Sequence, residues 1–360
     1  MVQAGLWEKE VRLLPFGDVD FDTVYRLASE QSVVGLVVAG LEHVSDIKLP
    51  KATVVPFMGA VLQMEQRNTA MNSFLVWLLD ELRKKDVYAL LVKGQGVGQC
   101  YERPLWRSCG DVDLLLDKDN YEKAKGVLIP IASDVKTEYT GFLHLGMTIQ
   151  GWMVELHGTL HTRLSEKVDR DLDDVQRDCF NYEAVRVWEN GTIPVFLPAV
   201  NQDILFVFTH ILHHFFLEGV GLRQICDWCR LMWTFRDSID NNYLESHLRK
   251  MGLMSEWKSF AAYAVGWLGM PREALPFYSS DSHWHKKAEQ INDFVLKVGN
   301  FGHNQKRLAS DTQPYWLRKL LSFLDRFVTL LRTIRIFPVD TFRFFFGVLK
   351  SGMNAMVRGE

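Results

Sequence analysis

Two carboxylates in one apolar segment have the clearest chemical potential in this sequence. Asp111 and Asp113 lie at the start of an apolar run that continues to Leu116. This run predicts a buried strand, in which alternate side chains point to the same face, so both carboxylates share one face. Neighbouring carboxylates in a half-buried strand repel each other and lose hydration, and a divalent cation would remove both costs. The pair predicts a site for Mg²⁺ or Mn²⁺.

A third carboxylate, Glu155, lies in the extended segment Trp152–His157. The same alternation places Glu155 and His157 on one face of that strand. Oxygen ligands suit Mg²⁺, and paired metal ions stabilise both the attacking and the leaving oxygen in phosphoryl transfer. We therefore predict that Asp111, Asp113 and Glu155 are catalytic and metal-binding, with a nucleoside triphosphate (NTP) as substrate.

Glycines directly follow another apolar run, Tyr88–Val92. The segment from Lys93 to Gly96 is typical of a strand-to-helix turn, where backbone N–H groups approach phosphate oxygens closely. Lys93 would add a positive charge near the triphosphate, and Arg107 is a second candidate for phosphate contact. The turn is thus a predicted nucleotide-binding element.

The extended segments predict the sheet that positions these residues. Two runs between Phe142 and His157, joined at Gln150-Gly151, predict a β-hairpin, because glycine permits the positive φ of a tight turn. A smaller strand pair is predicted around Glu189–Gly191. Together with the runs at Tyr88–Val92 and Val112–Leu116, these segments form the predicted strands.

Helical periodicity surrounds the strands. Apolar residues recur at helical spacing from Phe21 to about Leu41, from about Val54 to Leu82, and after Pro198. We predict an α+β protein with a small mixed β-sheet core, flanked by N-terminal helices and a long C-terminal helical region. The predicted units are residues 1–86, 87–198 and 199–360.

The composition is that of an ordinary globular protein. The 360 residues are 48% hydrophobic and 24% charged, and the net charge of −3 gives no overall attraction to nucleic acid. The odd number of cysteines, five, and the lack of a basic-then-apolar leader argue against a secreted disulfide framework, so we expect a cytoplasmic protein. Apolar stretches such as Ile204–Leu217 contain histidines and are too short to span a bilayer, so no transmembrane segment is predicted.

A series of residues and motifs along the chain carries a resemblance to a known family. They are Lys93-Gly94, Tyr101, Pro104, Arg107, Gly110–Asp113, Val154–His157, His210–His214 and Gly221–Trp228. Their order resembles an uncharacterised bacterial nucleotidyltransferase family of the DNA polymerase beta superfamily. The last two segments resemble the helical part of that family, so the resemblance extends from about Val87 to Arg230.

The resemblance implies roles for individual residues. In the superfamily a Gly-Asp-x-Asp pair and a later strand carboxylate hold the metal ions, which implies that role for Asp111, Asp113 and Glu155. The glycine after the first strand lines the nucleotide phosphates, which implies that role for Gly94. The full set of predicted nucleotide-binding residues is Lys93, Gly94, Gln95, Arg107 and Gly110.

The implied reaction moves a nucleoside monophosphate (NMP) from an NTP to an unidentified acceptor hydroxyl or phosphate. The more widespread superfamily pattern has serine or a second glycine where this chain has Gln95. The alternative from another class is therefore a catalytically inactive module on the same fold that senses nucleotides or binds a protein.

A different interpretation of Gly94–Gly98 is a dinucleotide-binding fingerprint, with Asp117 on the ribose. Gln99 stands where the third glycine or alanine belongs, and Pro104 would break the crossover helix. The nucleotidyltransferase interpretation is therefore preferred.

Three further motifs are interpreted as structural. Cys226-Asp-Trp-Cys229 has redox or zinc spacing, but it lies in a helical pattern and predicts two half-buried thiols on one helix face. His210 and His214, with apolar neighbours, predict hydrogen-bonded packing histidines. Arg223 and Asp227, four residues apart on one helix, predict an ion pair.

The C-terminal tail is basic and rich in aromatic residues. Packing of a helical apolar face on the protein body is the preferred interpretation. Association of the cluster Phe342–Phe346 and nearby cations with a peripheral anionic surface is the alternative. The cations are Arg318, Lys319, Arg326, Arg332, Arg335, Arg343, Lys350 and Arg358, and the proposed packing residues are Trp316, Leu320, Phe323, Phe327, Leu330 and Ile334.

Overall fold

A computed structural model describes residues 1–139, 141–180, 185–300 and 314–347. Its N-terminal helices confirm the predicted helical segment, but the run from Phe21 to Leu41 forms two helices. The chain turns between them at Ser32, which has a φ of 56°, a value that ends a right-handed helix. The N-terminal helices are α1 (Val2–Trp7), α2 (Phe21–Glu30), α3 (Val34–Glu42) and α4 (Lys51–Arg83).

The central sheet is mixed and has the strand order β1-β2-β5-β4-β3. Strands β2 and β5 are parallel, and the other neighbouring pairs are antiparallel. The hairpin between β4 and β5 turns at Gln150 and Gly151, with φ values of 49° and 80°, as predicted. The strands are β1 (Leu90–Val92), β2 (Asp111–Leu115), β3 (Asp134–Val135), β4 (His144–Ile149) and β5 (Trp152–His157).

One face of this sheet is covered by helices. The buried side chains of Val112, Leu114 and Val154 pack in one core cluster with the second half of α4, including Leu75 and Leu82. Helix α6 (Lys118–Leu128) contributes to the same cluster. Because side chains alternate along a strand, the carboxylates of β2 and β5 face the other side of the sheet.

The C-terminal half is helical, as predicted, and the α+β fold class is confirmed. A second, larger core cluster joins these helices through buried aromatic side chains such as Phe208, Trp228 and Trp257. The predicted strand pair is β6 (Arg186–Asn190) with β7 (Ile193–Leu197). Further helices are α5 (Gly94–Gly98), α7 (Glu166–Cys179), α8 (Val200–Leu217), α9 (Leu222–Thr234), α10 (Asn241–Met251), α11 (Met254–Leu268), α12 (Ser282–Val298) and α13 (Tyr315–Thr333).

Within the described part of the chain, no helix is long and apolar enough to cross a membrane. The division into residues 1–86, 87–198 and 199–360 stays a prediction. The packing of α4 on the sheet shows that the first two of these segments share a core.

The tail combines packed and exposed residues. Phe344 is fully buried and its ring centroid lies 4.7 Å from that of Phe216, whereas Phe342 and Phe346 are exposed. Arg343 donates hydrogen bonds to the Gly252 carbonyl at 3.4 Å and to the Ser165 hydroxyl at 3.2 Å. Of the proposed packing residues whose side chains are described, Leu330 is buried, Ile334 is half-buried and Phe327 is 38% exposed. The predicted packing is therefore confirmed at Leu330 and wrong at Phe327, and association with an anionic surface stays a prediction. Outside the described residues or side chains lie Trp316, Arg318, Lys319, Leu320, Phe323, Arg326, Lys350 and Arg358.

Candidate active site

The predicted carboxylates converge at the centre of the sheet. Parallel pairing of β2 with β5 puts Asp113 directly opposite Glu155, and Asp111 lies two residues earlier on the same face. One carboxylate oxygen from each of the three lies within 4.8 Å of the others. Asp113 is buried, whereas Asp111 and Glu155 are half-buried. The arrangement presents only oxygen ligands, which suits Mg²⁺ or Mn²⁺.

Lys93 lies at the sharp turn between β1 and α5. Its ammonium Nζ is 2.7 Å from Asp113 Oδ1, so Lys93 is an ion-pair partner of the carboxylates here. Its φ of 55° lies in the left-handed region, and such strained backbone in non-glycine residues clusters at functional sites. Gly94 follows with a φ of 42°, a backbone conformation that residues with a side chain rarely adopt. The backbone of the turn therefore favours glycine at this position.

Two histidines complete the polar cluster on this face. His157 Nε2 is 2.8 Å from Asp113 Oδ1, and His144 Nε2 is 3.2 Å from Glu155 Oε2. His157 was predicted on the face of Glu155, but His144 was not expected at the site. The sequence could have indicated this position, because a hairpin turn at Gln150-Gly151 pairs residue 144 with residue 157.

The neighbouring groups shift the pKa values of the three carboxylates in different directions. Burial alone would raise the pKa of Asp113, but the Lys93 ammonium and the hydrogen bond with His157 hold it well below its usual value. The negative charge of Asp113, together with burial, raises the pKa of Asp111. Burial alone would raise the pKa of Glu155, but the hydrogen bond with His144 helps to keep it below its usual value. Asp111 is thus the carboxylate with the least favourable environment for its charge.

An open cavity of about 480 Å³ adjoins the carboxylates. Lys93, Gly94, Asp111 and Asp113 line it on the sheet side. Helices α8 and α9 form the other wall, which includes Arg223. This volume includes space that is open to solvent, so the carboxylates can be reached from outside.

Arg223 and Asp227 do not pair with each other, so that prediction is wrong. Asp227 instead accepts two hydrogen bonds from Arg107, from Nε at 2.9 Å and Nη2 at 2.7 Å, and one from the Tyr101 hydroxyl at 2.8 Å. Arg223 Nη1 donates to the Ser108 carbonyl at 3.4 Å, and Arg223 Nε has no hydrogen-bond partner among the described residues. The cavity wall therefore contains a guanidinium with unused hydrogen-bonding capacity.

A family model for an uncharacterised nucleotidyltransferase matches residues 17–269. The chain belongs to this family. Comparisons with curated proteins and with solved structures found no match. The match extends beyond the segment from Val87 to Arg230 that carried the resemblance, and it includes α2 to α4 and all of α11. Bacterial origin and placement in the DNA polymerase beta superfamily stay predictions.

Three other residues were predicted to bind nucleotide, and their surroundings differ from one another. Arg107 lines the cavity, but its side chain is buried and held by Asp227. Gln95 is buried, and its Nε2 donates to Asn68 Oδ1 at 3.1 Å. Gly110 is exposed with open space around its Cα. Their contacts with nucleotide stay predictions.

The dinucleotide-binding interpretation is excluded. Its fold requires β1 and the next strand to be parallel, and here β1 is antiparallel to β2. Asp117 caps helix α6 by accepting a hydrogen bond from the Asn120 backbone at 2.8 Å. The glycine turn after β1 is therefore not part of a dinucleotide-binding unit.

The cysteine and histidine motifs of α8 and α9 are structural, as predicted. Cys226 and Cys229 are free thiols that are fully buried rather than half-buried as predicted, and burial raises the pKa of both. His214 is buried with its Nε2 3.0 Å from His210 Nε2. His210 also lines the cavity, where burial and the nearby charge of Lys93 lower its pKa well below the usual value.

Proposed function

We propose that this nucleotidyltransferase moves an NMP from an NTP to an acceptor hydroxyl or phosphate, with pyrophosphate leaving, and that the reaction depends on Mg²⁺ or Mn²⁺. One observation carries the proposal. The carboxylates of Asp111, Asp113 and Glu155 meet within 4.8 Å of one another, beside an open cavity, in a chain that belongs to a nucleotidyltransferase family.

The residues present fit a divalent cation. Three oxygen ligands are available, and the repulsion that raises the pKa of Asp111 is a cost that a bound cation would remove. When bound, the metal would stabilise charge on the attacking and leaving oxygens of the transfer. Asp111 and Asp113 would hold it, and Glu155 would complete a second position and favour deprotonation of the attacking group.

The cavity supplies partners for the triphosphate. Arg223 lines the cavity, and a guanidinium can form paired hydrogen bonds with phosphate oxygens. The Gly94 backbone lies at the opposite wall, on the sheet side, where the absence of a side chain permits close approach. Lys93 balances Asp113 before a metal binds and is within reach of phosphate oxygens afterwards. These groups position the reacting phosphorus and oppose charge that develops on it.

The test is transfer of label from each α-labelled NTP, with Mg²⁺ or Mn²⁺, in the absence and presence of a cell lysate as a source of acceptor. We expect a labelled product from the wild type and none from Asp113→Asn. Asp173→Asn is the matched control, because it makes the same change at an exposed carboxylate that pairs with His161. A wild type that labels nothing with any NTP, or an Asp113→Asn variant of full activity, would overturn the proposal.

The second candidate function is a nucleotide-binding module without turnover. Two observations favour it. The Lys93 ammonium already forms an ion pair with Asp113 at 2.7 Å, and the Gln95 side chain already donates a hydrogen bond to Asn68. Calorimetry with NTP and Mg²⁺ separates the two functions, because the module would bind NTP reversibly and leave it intact.

A further inference from the structure

A second set of side chains converges beside the acidic cluster. The Nε2 atoms of His144 and His157 lie 3.2 Å and 3.7 Å from the same oxygen, Glu155 Oε2. One ligand atom from each of the three residues lies within 4.8 Å of the others. This set offers two nitrogens and one oxygen, unlike the all-oxygen set of the carboxylates.

The sheet holds these side chains in place. His144 and His157 are directly opposite each other on β4 and β5, and Glu155 is two residues from His157, so all three share one face. Their imidazole ring centroids are 4.8 Å apart. The side chains of His144 and Glu155 are each 23% exposed, and that of His157 is 14% exposed. The set is therefore built on one β-hairpin and remains reachable from solvent.

The spacing matches that of ligands around a small cation. Bonds of about 2.1 Å at tetrahedral angles separate neighbouring ligand atoms by about 3.4 Å. The observed separations from the glutamate oxygen, 3.2 Å and 3.7 Å, lie on either side of this value. Two imidazoles and one carboxylate are a set preferred by Zn²⁺ and related transition metals, whereas Mg²⁺ prefers oxygen ligands.

We propose that His144, His157 and Glu155 form a site for a divalent transition-metal ion of the Zn²⁺ class. This site is distinct from the Mg²⁺ site of the proposed reaction, but it shares Glu155 with it. The inference concerns metal binding alone and stands whether or not the transfer reaction is confirmed.

Metal binding changes the hydrogen bonds of His157. Its Nε2 now meets Asp113 Oδ1 at 2.8 Å. To ligate, the ring must be neutral with an unprotonated Nε2, so the proton moves to Nδ1 or, from a doubly protonated ring, to solvent. Asp113 then retains Lys93 as its partner at 2.7 Å. The two sites are thus linked through His157 as well as through Glu155.

The test uses Co²⁺ as a spectroscopic probe and Zn²⁺ for calorimetry, on the full chain stripped of metal with a chelator. With Mg²⁺ in excess, we expect one equivalent of Co²⁺ to bind with the visible absorption of nitrogen ligation. His144→Asn and His157→Asn should each weaken Co²⁺ binding at least about tenfold. His161→Asn is the matched control, since His161 pairs with Asp173 away from this set. Equal affinity in all three variants would overturn the inference and indicate a hydrogen-bonded cluster only.

Two further measurements keep the result unambiguous. X-ray absorption of the Zn²⁺-loaded wild type should show two imidazole ligands, and all-oxygen ligation would overturn the inference even if the histidine variants fail to fold. Asp111→Asn should lose NMP transfer but keep Co²⁺ binding, because Asp111 is not a member of this set. Failure of the transfer reaction and failure of the metal site are thereby distinguished.

Discussion

Asp111→Asn and Asp113→Asn make the same chemical change two residues apart, and we expect opposite effects on stability. Repulsion between carboxylates alone would make both variants more stable than the wild type. Asp113, however, pairs with Lys93 at 2.7 Å and with His157 at 2.8 Å, so its charge stabilises the folded state. Asp111 has its pKa raised by Asp113 and by burial, so its charge destabilises the folded state.

The size of the Asp113 effect follows from its surroundings. The side chains of Asp113 and Lys93 are 3% and 15% exposed, and removal of one partner from a buried pair costs about 3 to 5 kcal/mol. Asparagine keeps an oxygen that can accept from Lys93, so we expect a loss of about 2 to 3 kcal/mol, near the value of a hydrogen bond to a charged group. For Asp111→Asn we expect a gain, because no comparable partner charge is left unpaired.

Urea unfolding in chelator-containing buffer measures both effects. The midpoints should rank Asp111→Asn above wild type and wild type above Asp113→Asn, while both variants lose metal-dependent transfer. Asp173→Asn, at an exposed carboxylate, should remain close to wild type. An Asp113→Asn protein at least as stable as wild type would refute the assigned role of the Lys93 pair.

Three further results are expected. Arg107→Lys should lower the free energy of unfolding by about 2 kcal/mol, since lysine cannot reproduce the two hydrogen bonds to Asp227; an unchanged urea midpoint would contradict this. Arg223→Gln should raise the NTP dissociation constant about tenfold, or about 1.4 kcal/mol, with an unchanged urea midpoint, because the guanidinium lines the cavity; calorimetric affinity equal to wild type would remove Arg223 from the nucleotide site. All five cysteines are buried, so the native protein should resist a thiol reagent that labels the unfolded chain fully; rapid labelling of the native chain would show that a thiol is exposed.

The meeting of the carboxylates could be anticipated because it depends on a local rule. Alternation along a strand puts Asp111 and Asp113 on one face and fixes the face of Glu155 within its own strand. The parallel pairing that brings Glu155 beside Asp113 is a long-range feature, and the resemblance to a family supplied it. Once the hairpin turn is located, strand pairing and alternation also place His144 on the face of Glu155.

The partners of the cations could not be anticipated, because they come from distant segments. Lys93 and Arg107 were expected to contact phosphate, yet their closest charged partners are Asp113 and Asp227. The predicted pair of Arg223 with Asp227 relied on a rule for exposed helix surfaces. Helix α9 is buried around Asp227, and there a guanidinium from another element competes more effectively than a neighbour on the same helix.

The ion pair of Lys93 also bears on the order in which ligands bind. A cation that ligates Asp113 must displace or share the ammonium at 2.7 Å, so a metal ion alone gains less than the carboxylates suggest. A triphosphate in the adjoining cavity would give the displaced ammonium a new negative partner. Metal and nucleotide would therefore favour each other's binding, because each relieves a charge left unpaired by the other. This coupling gives a physical reason for a lysine at the turn after β1. Its ammonium would balance the charge of Asp113 until metal and nucleotide bind together.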